Sequence, residues 1–148
     1  LPVYNDPVNE YQIGRAYVLR QDDQPAVSVI ATGSMTGNAL LAAQTLSQKG
    51  VASEVVHVPT IKPLDQATIL GSIGRTKVVV TVEEHQVSGG LGSAVAELVL
   101  ESDIRPAKFY RIGVNDRFGQ SGTVANLWRH YQLDVGGIVE QILALLDN

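Results

Sequence analysis

Apolar residues along this chain switch between a two-residue and a near-four-residue period, and each switch marks an element. Arg15–Arg20 (RAYVLR) and Ala26–Thr32 (AVSVIAT) are short strand-like runs. The turn-forming cluster Asp22-Asp23-Gln24-Pro25 lies between them, and so short a connection predicts that the two strands pair antiparallel. After the polar loop Gly33–Asn38, the apolar positions Ala39, Ala43 and Leu46, with Leu40 beside them, recur at helical spacing. They predict a helix from about Thr36 to Lys49, where Lys49-Gly50 is a stop signal. Val51–Val58 reads as a strand closed by Pro59. Asp65 is a good N-cap for a short helix running to about Gly74. Lys77–Glu83 (KVVVTVE) is nearly all β-branched, as a strand buried on both faces should be. A helix starts at Gly89-Gly90-Leu91-Gly92 and ends near Ser102, with Leu91, Val95, Leu98 and Val99 as its buried stripe. A last strand at Pro106–Gly113, a polar loop at Asn115–Gly122, and helices near Thr123–Tyr131 and Val135–Leu146 complete the chain.

Strands alternating with helices point to parallel βαβ units with right-handed crossovers. The expected fold is a three-layer αβα domain over residues 15–148, with a five-stranded, mostly parallel sheet and one antiparallel edge strand. Residues 1–14 carry Pro2, Pro7 and Gly14 without a sustained period and read as an extended arm or interdomain linker.

Composition narrows the function classes. The 148 residues are 45% hydrophobic and carry a net charge of −4, which excludes the low-hydropathy signature of disorder. There is no basic balance or stripe to suggest nucleic-acid binding. The chain has no cysteine, so disulfides and cysteine-ligated metals are excluded. No apolar run reaches the roughly 20 residues of a membrane span, and the cytoplasm is the expected compartment. The chain opens on Leu1 and holds a single Met35, so a piece of a longer polypeptide is expected.

Three segments could carry chemistry. Gly89-Gly90-Leu91-Gly92-Ser93 sits between a buried strand and a helix, where free amides and the helix dipole attract anions. The dinucleotide pattern G-x-G-x-x-G fails there, because Val95 stands at the third glycine position. The other reading of these glycines is tight backbone packing, within the domain or against a partner. Glu83 and His85 should share one face of their strand, with Glu84 on the other. They could form an acid/base pair or a structural pair at a subunit contact. Arg117, in the loop Asp116–Gly122, could grip a phosphate or carboxylate with both arms of its guanidinium, or pair with Asp116 or another subunit. Ser121 or Thr123 suits a helix N-cap better than a nucleophile, and Ser34 lacks the G-x-S-x-G elbow. His57 reads as structural, and Trp128 with Tyr131 as an anchor for a core edge or a partner surface. The candidate anion-binding or subunit-interface set is therefore Glu83, His85, Gly89, Gly90, Gly92, Ser93, Arg117 and Ser121. None of these is assigned a catalytic, cofactor or metal role.

The order of several segments resembles a known family. Thr32-Gly33-Ser34, Thr60-Ile61-Lys62-Pro63-Leu64-Asp65 and Val82-Glu83-Glu84-His85 are followed by Gly89-Gly90-Leu91-Gly92-Ser93-Ala94. Together they resemble the C-terminal domain of transketolase-type thiamine-diphosphate enzymes, over roughly residues 11–146. Ile112-Gly113-Val114, then Asp116-Arg117-Phe118-Gly119 and Ser121-Gly122, look especially like transketolases encoded as separate halves. The resemblance implies a parent enzyme that moves a two-carbon ketol unit between sugar phosphates. Thiamine diphosphate and a divalent metal (Mg or Ca) would be held by N-terminal domains or a separate subunit, in a homodimer. This chain has no Gly-Asp-Gly … Asn-Asn motif, so the resemblance implies an assembly domain that binds no cofactor and is inactive alone. Deoxyxylulose-phosphate synthase and the beta subunits of 2-oxo-acid dehydrogenases end in similar domains. A free-standing phosphate- or nucleotide-binding regulatory module is the rival from another class.

Overall fold

The structure is a computed structural model and describes residues 11–147. The chain order is β1 (Tyr17–Gln21), β2 (Val27–Ala31), α1 (Met35–Gln48), β3 (Ser53–His57), α2 (Gln66–Ile73), β4 (Val78–Gln86), α3 (Leu91–Glu101), β5 (Lys108–Val114), α4 (Val124–His130) and α5 (Val135–Leu146). The five strands form one sheet in the order β1-β3-β2-β4-β5. All neighbouring pairs are parallel except β1 with β3.

This order corrects one expectation. β1 is an antiparallel edge, but it pairs with β3 and not with β2. The reason is burial. Every residue of β2 is buried, and parallel neighbours β3 and β4 take both of its edges. β1 is only partly buried along its length, which suits an outer position. The Asp22 side chain fixes the step across: it accepts a bond from the Ser53 amide at 3.0 Å, at the start of β3. β4 also runs three residues beyond the predicted end, to Gln86. Of the predicted arm, residues 1–10 lie outside the described residues.

Strand alternation sorts the core into two layers. Val78, Val80 and Val82 of β4 join Val27, Val29 and Ala31 under α1 and α5. Val79 joins Ile30, Val56 and Val58 under α2 and α3. The same parity sends Glu83 toward α3 and Glu84 toward the α1 side, so the sheet's alternation sets the site.

The α2 end of the molecule is held by charge. Asp65 caps α2 through the Thr68 amide at 3.1 Å and also accepts from the Ala16 amide at 2.9 Å. Partial burial works against the charge on Asp65. The bonds from Ala16 and Thr68, with the nearby Arg15, outweigh it and hold the carboxyl below its usual pKa. The wholly buried Glu54 receives two bonds from the Arg75 guanidinium, at 2.6 and 3.1 Å.

Candidate functional site

The parallel strands all end at one rim of the sheet, where ligands of open α/β folds collect. β4 runs past the ends of β2 and β3 and stays level with β5, so Glu83, Glu84, His85 and Gln86 stand at this rim beside the β5 edge.

Glu83 is 1% exposed and lies beneath the start of α3. Its two oxygens accept the amides of Leu91 and Gly92, each at 2.8 Å. The two free N–H groups that could cradle an anion are thus already bound by a carboxylate of this same chain. The glycines around it are needed inside the domain. A Cβ on Gly90 would lie 1.8 Å from Glu83 Oε2, and one on Gly92 would lie 2.7 Å from Thr81 Oγ1 and Arg111 Cδ. Gly89 adopts φ +80°, and its amide donates to Ser93 Oγ at 2.9 Å. That hydroxyl donates in turn to the Val87 carbonyl at 3.1 Å. Arg111 Nη1 reaches both groups, at 3.2 Å to Ser93 Oγ and 2.9 Å to Val87 O.

His85 lies on the Glu83 side. Its Nδ1 is 2.7 Å from the Gln86 carbonyl and 3.8 Å from Glu83 Oε2. A carbonyl only accepts, so Nδ1 carries the proton and a neutral ring keeps Nε2 as its acceptor. Glu84 lies on the opposite side. It accepts the indole N–H of Trp128 at 2.9 Å and a short bond from the Ser34 hydroxyl. This joins the start of α1, the end of β4 and α4. Between Thr32–Ser34, Ile61 and Glu83–His85 lies an open groove of about 320 Å³.

Other predicted residues are placed as follows. Arg117 is exposed, and among the described residues its guanidinium has no partner, Asp116 included. Ser121 is exposed, and Thr123 caps α4 by accepting the Asn126 amide. His57 is buried against Thr36, with Nδ1 2.7 Å from Thr36 Oγ1, and packs edge-on to Tyr11. Burial lowers its pKa, against an opposing hydrogen bond with the Ala31 backbone. Sequence reasoning passed over Gln86 and Arg111. Gln86 Oε1 accepts the Asp116 amide at 2.9 Å, and its Nε2 donates to the Arg117 carbonyl at 3.2 Å. Their only signal was polarity at the end of one buried strand and within its neighbour.

The chemistry at the rim is mostly consumed in holding the rim together. The serine hydroxyl nearest the groove is bound to a carboxylate that also holds an indole, not to a histidine base. Among the described residues, no three His, Cys, Asp or Glu side chains converge as a set that could hold a metal ion. Among the same residues, no helix is long and apolar enough to cross a membrane.

A five-stranded α/β domain with a helix-capping carboxylate at its carboxyl rim defines the class of protein. The family model of the transketolase C-terminal domain matches residues 14–138, and the chain belongs to that family. It is 44% identical over 139 residues to the transketolase family protein y4mN of Sinorhizobium fredii, covering 93% of this chain and 40% of that protein. It is 42% identical over 126 residues to a 1-deoxy-D-xylulose-5-phosphate synthase of Halothermothrix orenii, covering 85% and 20%. A solved split-gene transketolase, an inactive beta4 tetramer, superposes with a TM-score of 0.87 at 38% identity, over 97% of this chain and 46% of that one. The chain therefore spans less than half the length of each of these proteins.

Proposed function

We propose that this chain is the assembly domain of a transketolase-type enzyme that transfers a two-carbon ketol unit between sugar phosphates, and that it is inactive alone. Thiamine diphosphate and its divalent metal are held by N-terminal domains or a separate subunit, within a homodimer. When bound there, the cofactor supplies the carbanion chemistry of ketol transfer. The residues described here support and orient that assembly.

The observation that carries this reading is Glu83. A carboxylate buried under α3 occupies the helix terminus that a phosphate-binding module would need, which turns the most ligand-like feature of the chain into a structural joint. That same observation weakens the regulatory-module reading. The similarity to a deoxyxylulose-phosphate synthase keeps a second parent in view, one built on the same domain.

The test is to capture the natural polypeptide from its source cells with an antibody against this domain. Its intact mass and bound thiamine diphosphate are then measured, and both ketol transfer and deoxyxylulose-phosphate synthesis are assayed. A complex or longer chain that binds thiamine diphosphate and transfers a ketol unit is expected. A lone 15.8 kDa chain without a thiamine-diphosphate-binding companion overturns the proposal. Synthase activity alone moves the domain to the second parent.

A further inference from the structure

Phe118 is the most exposed large apolar side chain of the described residues, at 98%. Its backbone is nevertheless tied down. Gln86 bonds the Asp116 amide and the Arg117 carbonyl, and Tyr131 Oη donates to the Phe118 carbonyl at 3.1 Å. Asp116 sits at φ +44°, a tight turn that precedes the exposed pair Arg117 and Phe118. A segment already ordered loses little further entropy on docking. An aromatic ring beside an arginine is the composition that dominates interface energetics.

Phe118 is not the sole exposed apolar side chain of this rim among the described residues; two more stand toward its other end. Ile61, in the loop after β3, is 36% exposed, and Ile13 is 89% exposed. Ile13 precedes Gly14, whose backbone lies against Pro63 of that same loop. With strands spaced about 4.8 Å apart, the rim from β1 to β5 is roughly 19 Å long. Apolar side chains therefore stand at both ends of it.

We infer that this rim, with Phe118 and Arg117 as its anchor, is the surface on which the thiamine-diphosphate-binding part of the enzyme docks. The inference rests on the functional reading above. The occupant is set by where the rest of the enzyme meets the fold. The matched region is a C-terminal domain, and the relatives carry more than half their length outside it. Residues 11–16 lead into β1 at this rim, with the Ala16 amide bound to Asp65 beyond the end of β3. From Tyr11 onward the chain enters the domain at this rim. The complementary face should offer an apolar socket for the benzyl ring and a carboxylate within reach of Arg117.

The test uses the intact enzyme, expressed with whatever polypeptide carries its thiamine-diphosphate-binding part. Phe118→p-benzoylphenylalanine places a photocrosslinker at the anchor. Leu100→p-benzoylphenylalanine serves as the control, since Leu100 is 73% exposed at the far end of α3, on the opposite rim. Crosslinks from position 118, but not 100, to the thiamine-diphosphate-binding part are the expected result. In a binding assay, Phe118→Ser should weaken association roughly 10- to 100-fold, the range for losing an aromatic anchor. Crosslinks from 118 to a second copy of this chain, or none at all, in an enzyme that transfers ketol units overturn the rim assignment alone. An assembly with no thiamine-diphosphate-binding part overturns both this inference and the functional reading.

Discussion

Glu83→Gln tests the joint on which the reading of the rim depends. The carboxylate is 1% exposed and accepts two amides of α3, each at 2.8 Å. Glutamine keeps one acceptor oxygen but turns an NH₂ group toward the second amide. One charge-assisted hydrogen bond is lost, worth about 1.5–3 kcal/mol, and a buried N–H is left facing a donor. The interaction of the charge with the helix dipole, about 0.3–1 kcal/mol, goes as well. Relief of burying a charge offsets part of this. A net loss of about 2–3 kcal/mol follows, which for a domain of this size lowers Tm by roughly 4–12 °C. Gly90→Ala should act on the same bond, since its Cβ would stand 1.8 Å from Glu83 Oε2. In a thermal-denaturation cycle the two substitutions should therefore be less than additive. A Tm for Glu83→Gln within a degree of wild type, or full additivity with Gly90→Ala, would refute the claim that Glu83 holds the start of α3.

The other joints have their own signatures. Arg75→Ala strands the wholly buried Glu54. Breaking a buried pair costs roughly 3–5 kcal/mol, and the 41% exposure of Arg75 lets water reduce that to roughly 2–4; urea unfolding that shows under 1 kcal/mol would contradict it. His57 has a folded pKa below its ordinary 6.5. Below pH 6.5 the unfolded chain therefore binds more protons, and stability should fall from pH 7 toward the lower folded pKa. His57→Gln should flatten Tm against pH in that window, and an unchanged slope counts against the assignment. Asp65 has a folded pKa below 3.8, so its stabilisation is present above that pH and lost as pH falls further through the folded value. Asp65→Asn should remove that acid-side loss and cost about 1.5–3 kcal/mol at pH 7, because asparagine keeps one acceptor for the Thr68 cap but loses the charged oxygen that takes the Ala16 amide, measured by denaturant titration.

Much of the architecture was legible from local pattern. β-branched runs at β2 and β4, helical spacing at Ala39, Ala43 and Leu46, and the cap at Asp65 each follow from short-range rules, and each of those elements formed, with β4 extended to Gln86. The antiparallel direction of the edge strand was legible too, from the short turn at Asp22–Pro25. Its neighbour was not. Pairing β1 with β3 depends on which strand has an edge left to bond once β2 is enclosed by β3 and β4, and that is a property of the whole sheet.

The site divides in the same way. Alternation along β4 was enough to separate Glu83 and His85 from Glu84. It could not say what each would touch. Glu83 meets α3 because the strand's odd positions face that helix, and Gly90 and Gly92 are glycines because a carboxylate, an arginine stem and a threonine fill the space their side chains would take. Gln86 and Tyr131 clamp the Phe118 loop from two elements 45 residues apart in the chain. Residue type and spacing determine which faces are apolar and where helices begin, because those depend on neighbours a few bonds away. Which polar groups satisfy one another, and which apolar ring is left facing solvent, depends on distances set only when all five strands and their helices have packed.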